Sequence, residues 1–140
     1  MPPMTPPLTS TSELPNVPAV YALYGGRGRG LYVAYVGIAK LLRGRVEQHL
    51  VRRDSSIVTG TTAVGLNPEH VTQVRWWEGP EFEKQDVLEA AELVAFDVLD
   101  PALRSRGNVT ERAKALYKDP QFCERIRSLF SGDATGVLLL

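Results

Sequence analysis

Residues 17–37 read VPAVYALYGGRGRGLYVAYVG, two apolar runs on either side of a turn rich in glycine and arginine. The apolar runs are rich in the β-branched and aromatic residues that favour strands, and glycine readily adopts the positive φ angles that tight turns require. The stretch therefore predicts a β-hairpin. With the turn centred near Gly28, Tyr21 is expected directly opposite Tyr35, with both side chains on one face of the sheet.

A helix is predicted directly after the hairpin, from Lys40 to Arg52. Apolar residues recur there at every fourth position, which is typical of a helix packed against a sheet; they are Leu42, Val46 and Leu50. Arg45 and His49 form a second pair at the same spacing, beside the apolar stripe.

The order of these residues resembles that of the GIY-YIG nuclease superfamily. Its first motif corresponds to Ala19-Val20-Tyr21, with alanine in place of the usual first glycine, and its second corresponds to Tyr35-Val36-Gly37. The interval from Tyr35 to Arg45 also agrees with the family. The resemblance implies a small α/β domain with a three-stranded antiparallel sheet flanked by helices. It also implies an active site for phosphodiester cleavage, made of Tyr21, Tyr35, Arg45 and His49.

Later parts of the chain predict a third strand over Val71–Trp77 and a helix over Gln85–Leu99. Glu92 interrupts the apolar face of this helix, and burying an unpaired carboxylate would cost several kcal/mol, so Glu92 needs a partner. The resemblance implies that Glu92 binds a divalent ion, Mg²⁺ or Mn²⁺, because the superfamily places its metal ligand at this interval before a proline, here Pro101. The structural alternative is an ion pair between Glu92 and an arginine such as Arg45 or Arg75. Glu89, the competing acidic residue, has more polar neighbours.

Two departures from the family pattern affect the expected site. Ile38 stands where many members have a lysine, for which Lys40 is a possible substitute. Arg104 stands where many members have an asparagine near the phosphate, and Asn108 is the nearest replacement.

The distribution of charge favours a phosphate-binding surface, although Lys plus Arg and Asp plus Glu balance at 16 each. Between residues 27 and 53 Glu47 is the single acidic residue. A basic hairpin and first helix would attract phosphate locally on a neutral protein. Together with Asn108, the residues expected to contact nucleic acid are Arg27, Arg29, Lys40, Arg43, Arg52 and Arg53.

Length and composition indicate one domain with two terminal segments. Residues 1–17 are rich in proline and predict a mobile arm, residues 18–131 form the nuclease-like domain, and residues 132–140 form a tail. Two further helices are expected over Thr110–Leu116 and Pro120–Phe130, and the loop over residues 54–68 is long enough to contact DNA. No signal peptide or membrane span is recognisable, and Cys123 is the single cysteine, so a cytoplasmic location is the default expectation.

The sequence thus predicts a metal-dependent endonuclease acting on duplex or branched DNA, and it leaves open which tyrosine activates the water. One alternative is a catalytically lapsed relative that binds nucleic acid or a protein without cleavage. A third reading is an assembly domain that docks on another chain, or on a second copy, through its terminal segments.

Overall fold

The computed structural model describes residues 6–52, 68–104 and 109–140, and the side chain of residue 52 lies outside this description. Within these ranges the chain has a mixed α/β architecture. The strands and helices, numbered in chain order, are β1 (Ala19–Gly25), β2 (Tyr32–Ala39), α1 (Leu42–Glu47), β3 (Val71–Glu78), α2 (Gln85–Leu99), β4 (Leu103–Arg104), α3 (Glu111–Lys118), α4 (Pro120–Ser131) and β5 (Gly136–Leu139).

One five-stranded sheet, in the order β4-β2-β1-β3-β5, forms the centre of the fold. Its three middle strands are antiparallel, but the sheet is wider than the three strands expected from the sequence. β4 pairs in parallel with β2, and β5 pairs antiparallel with β3. These two edge strands escaped prediction because β4 has two residues and β5 lies in the segment that was interpreted as a tail.

The hairpin of β1 and β2 has a register that differs from the predicted one. Tyr21 pairs with Gly37, and Leu23 pairs with Tyr35, so the two tyrosines are diagonal neighbours and not directly opposite each other. Gly28–Gly30 forms a short 3₁₀ helix at the turn, and the pairs nearest the turn, such as Gly25–Tyr32, are shifted by one position from the predicted register. An irregularity between Leu23 and Tyr24 adds the second position. Because strand side chains alternate with a period of two, the total shift of two positions leaves Tyr21 and Tyr35 on one face, as predicted.

The sheet separates two apolar layers. On one face, α2 and α4 cover the residues of β1 that alternate with Tyr21, and the core there includes Val20, Ala22, Tyr24, Val36, Leu88 and Phe130. On the other face, α1 covers Tyr21 and its neighbours, and that core includes Leu23, Tyr35, Leu42, Val46, Val74 and Trp76. The helix that carries Arg45 and His49 therefore packs on the face that carries both tyrosines.

Part of the segment expected to be a mobile arm is packed against the fold. Leu8 forms a parallel bridge with Leu138 of β5. Leu14 is fully buried beneath α1, and its carbonyl oxygen accepts a hydrogen bond of 2.8 Å from Nε of Arg43. Burying a leucine side chain stabilises a fold by about 1.5–3 kcal/mol, and this contribution favours the packed position of the segment over the mobile one that its prolines suggested.

The helices largely follow their sequence signals. α2 has the predicted bounds, and Thr110 caps α3 by accepting a hydrogen bond of 3.1 Å from the backbone N–H of Ala113. The predicted helix over Lys40–Arg52 begins at Leu42 and changes to a π-helix over Gln48–Arg52. No helix in the described ranges has the length and apolar character needed to cross a bilayer.

Candidate active site

The two motif tyrosines lie side by side on neighbouring strands. Their ring centroids are 6.2 Å apart, and both side chains are buried. Gly37 makes this packing feasible, because a Cβ atom at that position would lie 2.7 Å from Oη of Tyr21 and 3.0 Å from Cε1 of Tyr35. The glycine of the second motif therefore serves to accommodate two phenol rings above the strand.

Helix α1 and the π-helical turn that follows it bring an arginine and a histidine to this pair. Nε2 of His49 lies 2.8 Å from Oη of Tyr21, within a hydrogen bond, and the His49 ring is 5.1 Å from the ring of Tyr35. His49 sits in the π-helical turn, a feature that is rare and often found at functional sites. The four residues expected to form the catalytic group thus lie in one cluster.

The position of Arg45 depends on a residue that the sequence interpretation did not include. Nη1 of Arg45 donates a hydrogen bond of 3.0 Å to Oε1 of Gln48, one turn further along the chain. This contact holds the guanidinium on the side of the helix that faces the tyrosines. The spacing of three positions between the two residues was the signal that could have indicated it.

Burial and the charge of Arg45 act in opposite directions on the pKa values of the two tyrosines. Burial, and then the neighbouring Tyr35, raise the pKa of Tyr21 well above its usual value, and burial raises the pKa of Tyr35. The positive charge of the Arg45 guanidinium opposes both shifts. Burial lowers the pKa of Arg45 itself, but the two phenols more than offset this, and the net shift is upward.

The pKa of His49 decides whether its imidazole is charged at physiological pH. Burial, followed by repulsion from the Arg45 charge, lowers the pKa of His49 to about 4. Its imidazole is therefore neutral at physiological pH, with a proton on one ring nitrogen and a lone pair on the other. A neutral imidazole at hydrogen-bonding distance from a neutral phenol is able to accept a hydrogen bond from the phenol hydroxyl.

Two polar atoms of the cluster have no well-aligned hydrogen bond among the described residues. They are Oη of Tyr35 and Nδ1 of His49, both buried. Arg45 lies close enough to Tyr35 to influence its pKa, but the groups do not align into a good hydrogen bond. Buried polar groups are normally paired, so an unsatisfied phenol beside an unsatisfied imidazole is a place where a water molecule or a phosphate oxygen would be stabilised.

Glu92 is buried in the middle of α2, as its place on the apolar face predicted. After burial, the charge of Glu92 is one of the smaller causes that raise the pKa of Tyr21 and Tyr35, so its carboxylate lies within electrostatic range of the cluster. Glu89 is also buried but has a structural role, since it accepts hydrogen bonds from the backbone N–H of Thr110 and from Nε2 of Gln85. Glu89 therefore ties the start of α3 to α2.

The described residues offer a divalent ion one carboxylate and no closed site. No group of three or more His, Cys, Asp or Glu side chains in the described ranges is arranged to hold a metal. Mg²⁺ is commonly bound through one or two carboxylates, with the remaining positions filled by water and by substrate phosphate. A single buried carboxylate such as Glu92 fits an ion of this kind and does not fit a structural metal centre.

The residues predicted to contact nucleic acid divide into three groups. Arg27, Arg29 and Lys40 are exposed. Arg43 instead donates a hydrogen bond from Nε to the carbonyl oxygen of Leu14, so this nitrogen is already paired within the protein. The side chain of Arg52, and Arg53 and Asn108 entirely, lie outside the described residues, as does most of the loop at 54–68.

The two positions that depart from the family pattern also have defined surroundings. Ile38 packs partly buried against the α2 side of the sheet. Arg104 forms an ion pair of 3.8 Å with Asp100 and lies over the ring of Phe96. Both residues therefore make contacts within the fold itself.

Comparisons with protein-family models, with curated proteins and with solved structures gave no match to this chain. Function is therefore inferred from the geometry of the tyrosine cluster and from the chemistry of its residues.

Proposed function

We propose that this chain is a metal-dependent endonuclease that hydrolyses DNA phosphodiester bonds. The observation that carries the proposal is the cluster of two phenols, a guanidinium and an imidazole, with Tyr21 and His49 hydrogen-bonded at 2.8 Å. Hydrolysis of a phosphodiester requires a base for the attacking water, positive charge beside the phosphate, and stabilisation of the leaving oxygen. The cluster contains candidates for the first two of these roles.

Tyr21 and His49 form the proposed route for the proton of the attacking water. With Tyr21 donating its hydroxyl proton to Nε2 of His49, the phenol oxygen is able to accept a proton from water as it passes its own to the imidazole. The low pKa of His49 limits this transfer in the free protein. A bound phosphate would offset the Arg45 charge that contributes to that low pKa, and so would raise the basicity of His49 when substrate is present.

Arg45 and Tyr35 are the proposed phosphate-contacting groups. A guanidinium presents its N–H groups as a planar fork that matches phosphate oxygens. The hydroxyl of Tyr35 has no well-aligned hydrogen bond among the described residues and would orient the water or donate to a phosphate oxygen. Glu92 would hold the Mg²⁺ or Mn²⁺ ion, which when bound supplies positive charge for the leaving 3′ oxygen and a phosphate oxygen.

A second function is favoured by one specific observation, the complete burial of Tyr21. In the described conformation DNA would not reach its hydroxyl without a rearrangement, which is consistent with a domain that binds nucleic acid and does not cleave it. Ile38 in place of a lysine favours the same alternative. The two functions share a binding surface and differ in chemistry.

Cleavage of defined DNA forms separates these functions. Purified protein is incubated with duplex, nicked and branched oligonucleotides in the presence of Mg²⁺, Mn²⁺ or EDTA, and products are resolved on denaturing gels. We expect cleavage that requires the divalent ion and that falls by at least about 10²-fold in Arg45→Ala, the scale for the loss of one charge-stabilising group. Binding without cleavage under every condition would favour the lapsed alternative.

A further inference from the structure

A β-bulge changes the face on which Tyr32 lies. Between the pairs Leu23–Tyr35 and Tyr24–Val33, β1 advances by one residue and β2 advances by two, so Ala34 is the extra residue of β2. In a regular strand Tyr32 and Tyr35 would point to opposite faces, because they are separated by an odd number of positions. The bulge reverses this, and Tyr32 pairs with Gly25 on the face that carries Tyr21 and Tyr35.

The ring of Tyr32 rests on glycine. A Cβ atom at Gly25 would lie 2.6 Å from Cζ and Oη of Tyr32, and one at Gly26 would lie 3.3 Å from Cδ1. The absence of side chains at these two positions lets the ring settle against the backbone while 49% of the residue remains exposed. The surface therefore presents an aromatic ring that is supported on its inner side.

Two arginines lie in the turn that precedes this ring in the chain. Arg27 and Arg29, in the turn between β1 and β2, are both exposed, and neither forms an ion pair within the described part of the chain. Arginines in such a position attract phosphate through long-range electrostatics. An exposed aromatic ring next to unpaired cations is the combination that binds single-stranded nucleic acid, where bases stack on aromatic rings and the backbone follows positive charge.

We propose that Arg27, Arg29 and Tyr32, which together form the hairpin end, bind an unpaired stretch of the DNA strand, with Tyr32 stacking on one base. The inference extends the proposed function by naming its substrate class as DNA with unpaired bases near the cleaved bond. At about 3.3 Å per residue, Tyr32 lies on the order of 10 Å along β2 from Tyr35. That is about three steps of a stacked strand at 3.4 Å each, so one strand can contact both places.

An unpaired base is preferred over a duplex for a physical reason. In a duplex each base is already stacked on its neighbours, so Tyr32 gains little contact without disrupting the helix. In a single strand, a gap or a branch, the face of a base is available. The two arginines act on phosphates in either form and supply no such discrimination.

Fluorescence anisotropy in EDTA tests the inference without depending on cleavage. The probes are a labelled single strand, the matching duplex, a duplex with a single-stranded gap, and a strand in which the bases of the gap are replaced by abasic sites. Wild type is compared with Tyr32→Ala, Tyr32→Trp and the control Leu139→Ala. Leu139 is an exposed apolar residue on β5, paired with Gln73, and belongs to the opposite edge of the sheet.

We expect Tyr32→Ala to weaken binding to the single strand and the gapped duplex by about 5- to 150-fold, the range measured for one base stacked on an aromatic residue. Duplex and abasic probes should change by less than about twofold, and Tyr32→Trp and Leu139→Ala should resemble wild type. Replacing Arg27 and Arg29 together with alanine should weaken all probes and reduce the salt dependence by about 0.7 per lost contact on single strands.

An equal effect of Tyr32→Ala on all four probes, or no effect on any, would overturn the inference even if the protein cleaves DNA. Selective loss on the base-containing probes would support it even if wild type shows no metal-dependent cleavage, in which case the hydrolytic function alone fails. Absence of binding to every probe at low salt would overturn both.

Discussion

The hydroxyl oxygen of Tyr21 and Nε2 of His49 are 2.8 Å apart, inside the protein and 28 positions apart in sequence. This contact joins the first strand to the π-helical turn after α1. Burial and the neighbouring Arg45 cation keep this histidine neutral, because both lower the pKa of His49. Several measurable properties depend on this one pair.

His49 should make the stability of the protein depend on pH. Its pKa falls from 6.5 in the unfolded chain to about 4 in the folded one, so between these values the unfolded state binds more protons. The contribution of His49 to the free energy of unfolding is therefore fully present above pH 6.5 and is lost as the pH falls toward 4. The loss should reach about 3 kcal/mol, at 1.36 kcal/mol per pKa unit.

Urea unfolding of wild type and His49→Gln across pH 4 to 8 measures this contribution. The free energy of unfolding of the wild type should fall more steeply below pH 6.5 than that of the variant. Parallel pH profiles for the two proteins would show that His49 titrates normally, and hence that it is not buried beside Arg45.

Tyr21 and Tyr24 offer a matched pair of variants on the two faces of one strand. Tyr21→Phe removes the partner of Nε2 of His49 and should lower the cleavage rate by about 10²- to 10⁴-fold, the range for one proton-transfer group. Tyr24 lies in the opposite core, where its ring packs beneath Arg75, and Tyr24→Phe retains that ring. Its cleavage rate should stay within about twofold of wild type.

The cleavage assay used for Arg45→Ala measures both variants. Equal losses at the two positions would mean that the tyrosine effect is one of stability, and thermal unfolding of the same preparations would reveal it.

Glu92 and Glu89 provide a second matched pair, on one helix. Glu92→Gln keeps the size of the side chain and removes its charge, so cleavage in Mg²⁺ should fall by at least about 10²-fold while DNA affinity in EDTA changes little. Glu89→Gln should instead lower the free energy of unfolding by about 1–3 kcal/mol, because Glu89 anchors the start of α3. Cleavage by Glu92→Gln at the wild-type rate would exclude Glu92 as the metal ligand.

Gly37 should be sensitive to the addition of a single methyl group. In Gly37→Ala the new Cβ would meet Oη of Tyr21 and Cε1 of Tyr35 within 3.0 Å, and overpacking of this kind costs about 1–3 kcal/mol. Gly30→Ala is the control, since no atom lies within 4 Å of a Cβ there. Urea unfolding should show a loss for the first variant and a change of less than about 1 kcal/mol for the second. A loss of similar size in both would exclude the steric explanation.

Much of the fold was predictable from local patterns. The hairpin, the third strand and the long helix follow from alternation, glycine and helical spacing, which depend on neighbours in sequence. Such patterns also predicted that Tyr21 and Tyr35 share a face. Their exact pairing was not predictable, because it depends on how the turn at Gly28–Gly30 closes and on the extra residue Ala34 in β2.

Features that depend on distant contacts escaped prediction. Leu14 lies in a segment whose prolines suggest mobility, yet it is buried under a helix that comes later in the chain. β4 is too short to have a sequence signature, and β5 needed a partner strand more than fifty residues away. At the site, the π-helical turn that carries His49 has no local signal comparable to a cap or a turn.

The extra residue Ala34 shows that the number of residues in a strand, apart from their identity, decides which face each side chain lies on. Inserting one residue between Tyr32 and Ala34, with the bulge retained, would move the ring of Tyr32 to the opposite face, while Tyr35 and the motif behind it kept theirs. A single-codon insertion would thus withdraw the ring from the tyrosine face without altering any side chain of the cluster. Among relatives of such a protein, variation in the length of this hairpin would change which substrates are bound, whereas the chemistry would stay the same.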